Sequence, residues 1–127
     1  MTENEIGTIV VDRVIQIHKD LGPGLLESVY EVVLFHELNK SGLEVDRQVP
    51  ISIMYNGIKF NEGFRADIII ENKVILELKT VSSIQPVHKK QLITYLKLTN
   101  CKLGYLLNFN EELMKNGIVR KINGILL

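Results

Sequence analysis

Two apolar runs flank a short polar loop in Arg65-Ala66-Asp67-Ile68-Ile69-Ile70-Glu71-Asn72-Lys73-Val74-Ile75-Leu76-Glu77-Leu78-Lys79. This pattern predicts a β-hairpin, because branched aliphatic residues favour strands and the polar residues between them favour a turn. A three-residue loop over residues 71–73 places Ile70 opposite Val74 and Asp67 opposite Glu77. We therefore expect the hairpin to bring these two carboxylates together.

The register decides which side chains share a face, because successive residues of a strand point to opposite sides of the sheet. With the three-residue loop, one face is wholly apolar: Ala66, Ile68, Ile70, Val74, Leu76 and Leu78. The other face collects Arg65, Asp67, Ile69, Ile75, Glu77 and Lys79. A two-residue loop would separate Asp67 from Glu77 and bury a charge among aliphatic side chains. The three-residue loop is predicted, with both carboxylates beneath the second helix.

The polar face of the hairpin has the chemistry of a metal site. Two close carboxylates repel unless a positive charge lies between them, and Mg²⁺ uses one or two carboxylates with water and phosphate oxygens. Lys79 could then lower the pKa of a bound water or balance charge that develops on a phosphate. The alternative is a cross-strand cluster of ion pairs on a solvated sheet face.

The spacing of these residues resembles a known family. Asp67 followed by Glu77-Leu78-Lys79 is similar to the D…(D/E)xK signature of the PD-(D/E)XK nuclease superfamily. Two further motifs are present. Gly24, Glu27 and Tyr30 match the GxxExxY motif of one family within the superfamily. Gln91 and Tyr95 match the QxxxY motif of RecB-like members. Ala66 stands where the superfamily name has proline, which is not a catalytic group.

The resemblance implies an α/β fold with an αβββαβ core, in which helices flank a mixed sheet, and a single domain over residues 1–127. It also implies a nuclease that uses Mg²⁺ or Mn²⁺ to hydrolyse DNA. The implied metal ligands are Asp67, Glu77 and the Leu78 carbonyl. The implied catalytic residues are Lys79, which acts on the attacking water, Glu27, which completes the metal site, and Gln91 and Tyr95, which orient the substrate or Lys79.

Periodicity predicts the elements around the hairpin. Apolar residues at helical spacing indicate helices over about 4–19 and 25–40, and Glu27, Tyr30, Glu31 and Leu34 share one face of the second helix. Asn56-Gly57 predicts a tight turn that pairs Tyr55 with Ile58, and Gly63 is expected to separate this hairpin from the site strands. A helix from Pro86 to about Thr99 then leads to a strand over 103–109 that should pair parallel with a site strand.

Composition limits the function classes. The chain has 127 residues, 46% of them hydrophobic, and 15 basic residues balance 15 acidic ones, so any nucleic-acid contact must come from a local patch. A single cysteine, Cys101, and an acidic start at Glu3 and Glu5 indicate a cytoplasmic protein. No apolar run approaches the ~20 residues that span a bilayer, so no membrane contact is expected.

Two function hypotheses remain at this point. The first is the metal-dependent nuclease. The second is a catalytically silent nucleic-acid-binding or protein-interaction module, which the neutral net charge and small size favour. The apolar C-terminal residues Ile125-Leu126-Leu127 should pack on their own sheet or across a possible homodimer interface.

Overall fold

Two helices precede three strands, a third helix and two further strands. The computed structural model describes residues 1–127. The elements are α1 (Glu3–Leu21), α2 (Glu27–Lys40), β1 (Val45–Tyr55), β2 (Ile58–Ile70), β3 (Val74–Lys79), α3 (Pro86–Thr99), β4 (Leu103–Asn108), a 3₁₀ helix (Met114–Gly117) and β5 (Ile118–Ile122). The predicted α/β class and its αβββαβ core are confirmed. None of the helices combines the length and apolar character that a bilayer span requires.

The five strands form one mixed sheet in the order β1-β2-β3-β4-β5. Neighbouring strands are antiparallel except β3 and β4, which are parallel. The crossover through α3 from β3 to β4 was predicted from sequence and is confirmed. It places the ends of β3 and β4 side by side, with Lys79 opposite Asn108.

The predicted registers of both hairpins are confirmed. Ile70 pairs with Val74 across the three-residue loop, and Ile68 pairs with Leu76. Tyr55 pairs with Ile58 across the Asn56-Gly57 turn. The loop chemistry therefore sets the alignment of the strands, as expected for short hairpin connections.

The expectation that Gly63 ends a strand is wrong, because β2 runs without interruption from Ile58 to Ile70. The register between β1 and β2 shifts between Ile51 and Ile53 instead. A Cβ atom at Gly63 would lie 2.3 Å from the Ile51 carbonyl oxygen, so only glycine permits this close approach. Gly63 therefore marks an irregularity in a continuous strand.

Each face of the sheet has its own apolar core. The first core joins α1 and α2 to the sheet through residues such as Val10, Tyr30, Leu34, Ile68, Leu76 and Leu78. The second core joins α3 to the other face and contains Ala66, Ile69, Ile75, Leu92, Leu96, Cys101 and Leu106. The placement of Ala66 on the face of Ile68 is therefore wrong. Regular pairing of β2 with β3 covers only Ile68–Ile70, so β3 does not impose strict alternation on residues 66–67.

The C-terminal residues divide between the protein and solvent. Leu126 packs against the first core. Ile125 and Leu127 are exposed by 75% and 98%. Only one of the three apolar side chains therefore packs on its own domain.

Candidate functional site

Asp67 and Glu77 are held together by two reciprocal hydrogen bonds at the end of the β2–β3 pair. The Asp67 backbone N–H donates to Glu77 Oε2 at 2.8 Å, and the Leu78 backbone N–H donates to Asp67 Oδ2 at 2.8 Å. Each carboxylate thus accepts from a backbone donor on the other strand. This arrangement aligns two acidic side chains and leaves one oxygen of each carboxylate outside these bonds.

Neither carboxylate has a basic side chain within ion-pair distance. The ion pairs in the protein are Arg13–Asp12, Arg13–Glu37 and Arg47–Glu31. Glu77 is only 7% exposed, and burial together with the charge of Asp67 raises its pKa to about 8. Burial also raises the pKa of Asp67, against the opposing effects of the Leu78 N–H and the Lys79 charge. The pair therefore lacks a compensating cation at close range.

The sheet face of Glu77 differs from the sequence prediction. Leu76 and Leu78 belong to the first core, whereas Ile75 belongs to the second. Alternation along β3 therefore directs Glu77 towards α3, not beneath α2 as predicted. The reason is that the apolar residues on either side of Glu77 fill the layer between the sheet and α2.

Glu27 approaches the pair from the start of α2. Partial burial and the charge of Asp67 raise the pKa of Glu27, and the charge of Lys79 opposes this shift. An open groove of about 630 Å³ lies here, lined by Leu26, Glu27, Ser28, Glu31, Arg47, Gln48 and Asp67. The predicted residues Glu27, Asp67, Glu77 and Lys79 are thus close enough to influence each other's charge.

Tyr95 reaches the same region from α3. Its ring stacks on Phe64 with centroids 3.5 Å apart and planes inclined by 5°. Burial and the charges of Glu77 and Asp67 raise the pKa of Tyr95, while the neighbouring Gln91 side chain opposes the shift. Gln91 and Tyr95, which are four residues apart on α3, therefore lie together on the α3 side of the carboxylates.

A network around Glu31 contributes to the site, although sequence analysis assigned no role to it. Glu31 Oε2 accepts from Arg47 Nε at 3.1 Å and Nη2 at 2.8 Å, and Glu31 Oε1 accepts from Gln48 Nε2 at 2.6 Å. Gln48 Nε2 also lies 3.5 Å from Asp67 Oδ1. Helical spacing had placed Glu31 on the face of Glu27, but nothing local indicated its partners on β1.

The backbone of Gln48 is unusual at this point. Its φ angle is 51°, a left-handed conformation that costs free energy for a residue other than glycine. Gln48 is absent from the regular β1–β2 pairing, between the pairs Arg47–Ile68 and Val49–Ala66. This local conformation positions the Gln48 amide between Glu31 and Asp67.

Asn108 fixes the chain just after Lys79 and was also missed. Its Nδ2 donates to the Val81 carbonyl at 2.9 Å, and its Oδ1 accepts from the Val81 N–H at 3.1 Å. The Phe109 N–H donates to the Lys79 carbonyl at 3.0 Å. A polar residue at the end of the apolar strand β4 is the only signal in the sequence.

Tyr30 has a structural role that supports Glu27. Its hydroxyl donates to the Gly22 carbonyl at 2.5 Å and accepts from the Leu25 N–H at 3.2 Å. Its ring stacks on Phe109 with centroids 4.3 Å apart. Gly24 has a φ angle of 102°, which favours glycine. Gly24 and Tyr30 thus shape the turn from which α2 and Glu27 emerge.

The donor atoms suit a hard divalent cation held by few protein ligands. No group of three or more His, Cys, Asp or Glu side chains is arranged to hold a metal ion. Mg²⁺ does not need such a group, because it retains several waters and usually binds one or two carboxylates with substrate phosphates. Asp67 and Glu77 fit this requirement. For Leu78, the N–H donates to Asp67, and ligation by its carbonyl stays a prediction.

Comparison with known proteins gave a family match and a structural match. A family model described as PD-(D/E)XK nuclease superfamily matches residues 4–121. No curated protein matches the sequence. A solved structure titled "Crystal structure of SSO0001" aligns with 19% identity and a TM-score of 0.46, over 94% of this chain and 66% of that chain. This protein therefore spans less than two thirds of that chain.

Proposed function

The chain belongs to the PD-(D/E)XK nuclease superfamily, and from this premise we propose that it is a Mg²⁺-dependent nuclease that hydrolyses phosphodiester bonds of DNA. One observation carries the proposal. Glu77 is buried beside Asp67, and neither carboxylate has a basic partner within ion-pair distance. A divalent cation would favour the ionised form of both carboxylates, which repel each other without it. Mn²⁺ is expected to substitute for Mg²⁺.

Each residue of the site has a proposed part in this reaction. Asp67, Glu77 and the Leu78 carbonyl would hold the cation, which supplies Lewis-acid polarisation of the phosphate and a more acidic water. Lys79 would position the attacking water or balance charge that develops on the phosphate oxygens. Its ammonium already acts on the pKa values of Asp67 and Glu77.

The flanking residues would position the substrate and the ligands. Glu27 would complete the cation site from α2. Gln91 and Tyr95 would orient the substrate or Lys79, and the stacking of Tyr95 on Phe64 restricts its ring. Gln48 would orient Asp67 through its amide. The contacts of Tyr95 with Phe64 and of Gln48 with Asp67 exist before any substrate binds, which supports these proposed roles.

Four finer assignments accompany this proposal. The motif of Gly24, Glu27 and Tyr30 supports membership of the GxxExxY family, and the shared sheet supports a single domain over residues 1–127. The single cysteine supports a cytoplasmic location. The exposed Ile125 and Leu127 support a homodimer.

The second candidate is a nucleic-acid-binding or protein-interaction module without turnover. One observation favours it: Asp67 and Glu77 each already accept a backbone hydrogen bond, and no third acidic or histidine side chain joins them in a ligand group. In this case the carboxylate pair would stabilise the end of the hairpin.

Cleavage of plasmid and single-stranded DNA with Mg²⁺ and with Mn²⁺ tests the proposal. Lys79→Ala should reduce cleavage by about two orders of magnitude, equivalent to about 3 kcal/mol in the barrier, while Mn²⁺ still binds. Lys40→Ala, an exposed lysine at the end of α2, is the matched control and should cleave like wild type. Binding of Mn²⁺ without cleavage would support the second candidate. Failure to bind Mn²⁺ would refute the nuclease.

A further inference from the structure

Charge is unevenly distributed along a chain that is neutral overall. No aspartate or glutamate occurs between Glu77 and Glu111, whereas five lysines lie there: Lys79, Lys89, Lys90, Lys97 and Lys102. α3 therefore contains only basic and neutral residues. Local positive charge of this kind attracts polyanions even when the net charge is zero.

A groove between α3 and β5 concentrates part of this charge. The basic groove, of about 360 Å³, is lined by Lys89, Lys90, Ile93, Thr94 and Lys121. The three lysines come from two elements that are far apart in sequence. None of them takes part in an ion pair. Their ammonium groups are therefore not neutralised by neighbouring carboxylates.

The orientation of β5 separates Lys121 from its basic neighbour. Val119 packs against the second core, so alternation directs Lys121 towards α3. Arg120 lies on the opposite face, where its Nη2 donates to Asn4 Oδ1 of α1 at 2.7 Å. Only one of the two consecutive basic residues thus contributes to the groove.

The charge at the start of α3 opposes the preference of the helix itself. Helix N-termini favour acidic residues, because backbone N–H groups make that end partially positive. α3 has no acidic residue in its first turn, and Lys89 and Lys90 follow closely. Lys89 and Lys90 therefore gain no stabilisation from the helix dipole at this end of α3.

The basic groove adjoins the candidate site across one helix. Gln91 and Tyr95 occupy one stripe of α3, and Lys90 and Thr94 occupy the neighbouring stripe, about 100° around the helix. The groove and the Gln91–Tyr95 side of the candidate site therefore lie on adjacent surfaces of the same helix.

We propose that the basic groove binds the phosphodiester backbone of nucleic acid beside the scissile bond, with Lys89, Lys90 and Lys121 contacting phosphates. The choice of ligand rests on the proposed nuclease function. The alternative polyanion, an acidic protein segment, lacks the regular spacing of phosphates. Contacts of this kind position nucleic acid without reading its sequence.

The test measures binding of a fluorescent DNA duplex and a single strand in EDTA, where cleavage cannot occur, over a range of salt concentrations. Lys89→Gln/Lys90→Gln/Lys121→Gln should weaken binding equally for unrelated DNA sequences. The slope of log affinity against log salt should fall by about 1 for each lysine, hence by about 3. The corresponding Lys→Arg triple variant should retain the wild-type slope, because arginine also binds phosphate.

A matched triple variant controls for net charge. Lys19→Gln/Lys40→Gln/Lys115→Gln removes three lysines that lie outside the groove and should change the slope by less than about 1. Equal slopes for the two Gln triples would overturn the proposal, as would wild-type protein that binds neither probe. If only the Lys89/Lys90/Lys121 variant loses binding, the groove is the nucleic-acid-binding surface, even if the wild-type protein cleaves nothing. Cleavage by wild type with no change in slope would refute the groove and leave the nuclease intact.

Discussion

Glu31 and Glu77 are buried almost equally, with 6% and 7% of their surface exposed, yet their partners are different. Glu31 accepts hydrogen bonds from Arg47 and Gln48. Glu77 accepts a backbone hydrogen bond from Asp67 and has a second carboxylate as its neighbour. Buried charges are normally paired. The contrast indicates that Glu31 serves the architecture, whereas Glu77 is suited to a cation from solution.

The largest expected effect is on divalent-ion binding when the two glutamates are neutralised separately. Glu77→Gln replaces a proposed ligand and should lower Mn²⁺ affinity by at least about 100-fold, because losing a ligand should cost no less than losing a residue that only supports one. Glu31→Gln should change this affinity much less, because Gln48 still lies between it and Asp67. Calorimetric titration with Mn²⁺ measures the affinity of both variants. Equal losses of affinity would show that Glu31 and Glu77 do not differ in their role at the cation site.

The second prediction concerns pH and the metal-free protein. The pKa of Glu77 rises from 4.5 to about 8 on folding, so the folded chain holds a proton that the unfolded chain has released between these values. The free energy of unfolding should therefore fall progressively as pH rises through this window, because the folded state loses the advantage of holding this proton. Urea unfolding at several pH values measures this loss. Glu77→Gln should show a weaker dependence of the free energy of unfolding on pH. If this variant keeps the wild-type pH dependence, Glu77 is not the cause of it.

The third prediction removes the partner of Glu31. Arg47→Met should destabilise the fold by about 2 kcal/mol, because the Glu31 carboxylate stays buried without a cation. This value allows for solvent screening, since the Arg47 side chain is 34% exposed. Arg13→Met is the control, because Asp12 is 66% exposed, and it should cost less than about 1 kcal/mol. If urea unfolding shows similar losses of stability for the two variants, burial of the Glu31 carboxylate does not determine the cost of removing its arginine partner.

The smallest effect is expected at Tyr30, which lies one position before Glu31. Tyr30→Phe removes the hydrogen bonds with Gly22 and Leu25 but retains the ring that stacks on Phe109. We expect a loss of about 1 kcal/mol in the free energy of unfolding. DNA cleavage measured well below the unfolding temperature should be unchanged. A large loss of cleavage with no loss of stability would instead assign Tyr30 to the reaction.

Much of the fold was predictable because it depends on interactions that are local in sequence. The Asn56-Gly57 turn and the three-residue loop after Ile70 each specify a register, and both registers were confirmed. The reciprocal bonds of Asp67 and Glu77 follow from the second of these turns. The Gly63 prediction failed for a different reason. A glycine can end a strand or allow a close backbone contact, and only the neighbouring strand decides between them.

The surroundings of the carboxylate pair were less predictable. Arg47 and Gln48 lie 16 and 17 residues from Glu31, and the left-handed conformation of Gln48 has no signal in its residue type. Asn108 holds Val81 across 27 residues. Alternation alone could not say which helix covers Glu77, because both faces of the hairpin carry apolar residues that bury equally well.

The sequence by itself determined the strand registers, the helix positions and the approach of Asp67 to Glu77. These features arise from side-chain periodicity and turn chemistry within short segments. Tertiary structure alone decided which buried carboxylate acquires a cationic side chain and which does not. Ion pairing and desolvation depend on distances between elements, and those distances exist only once α2, β1 and β3 have packed around one sheet.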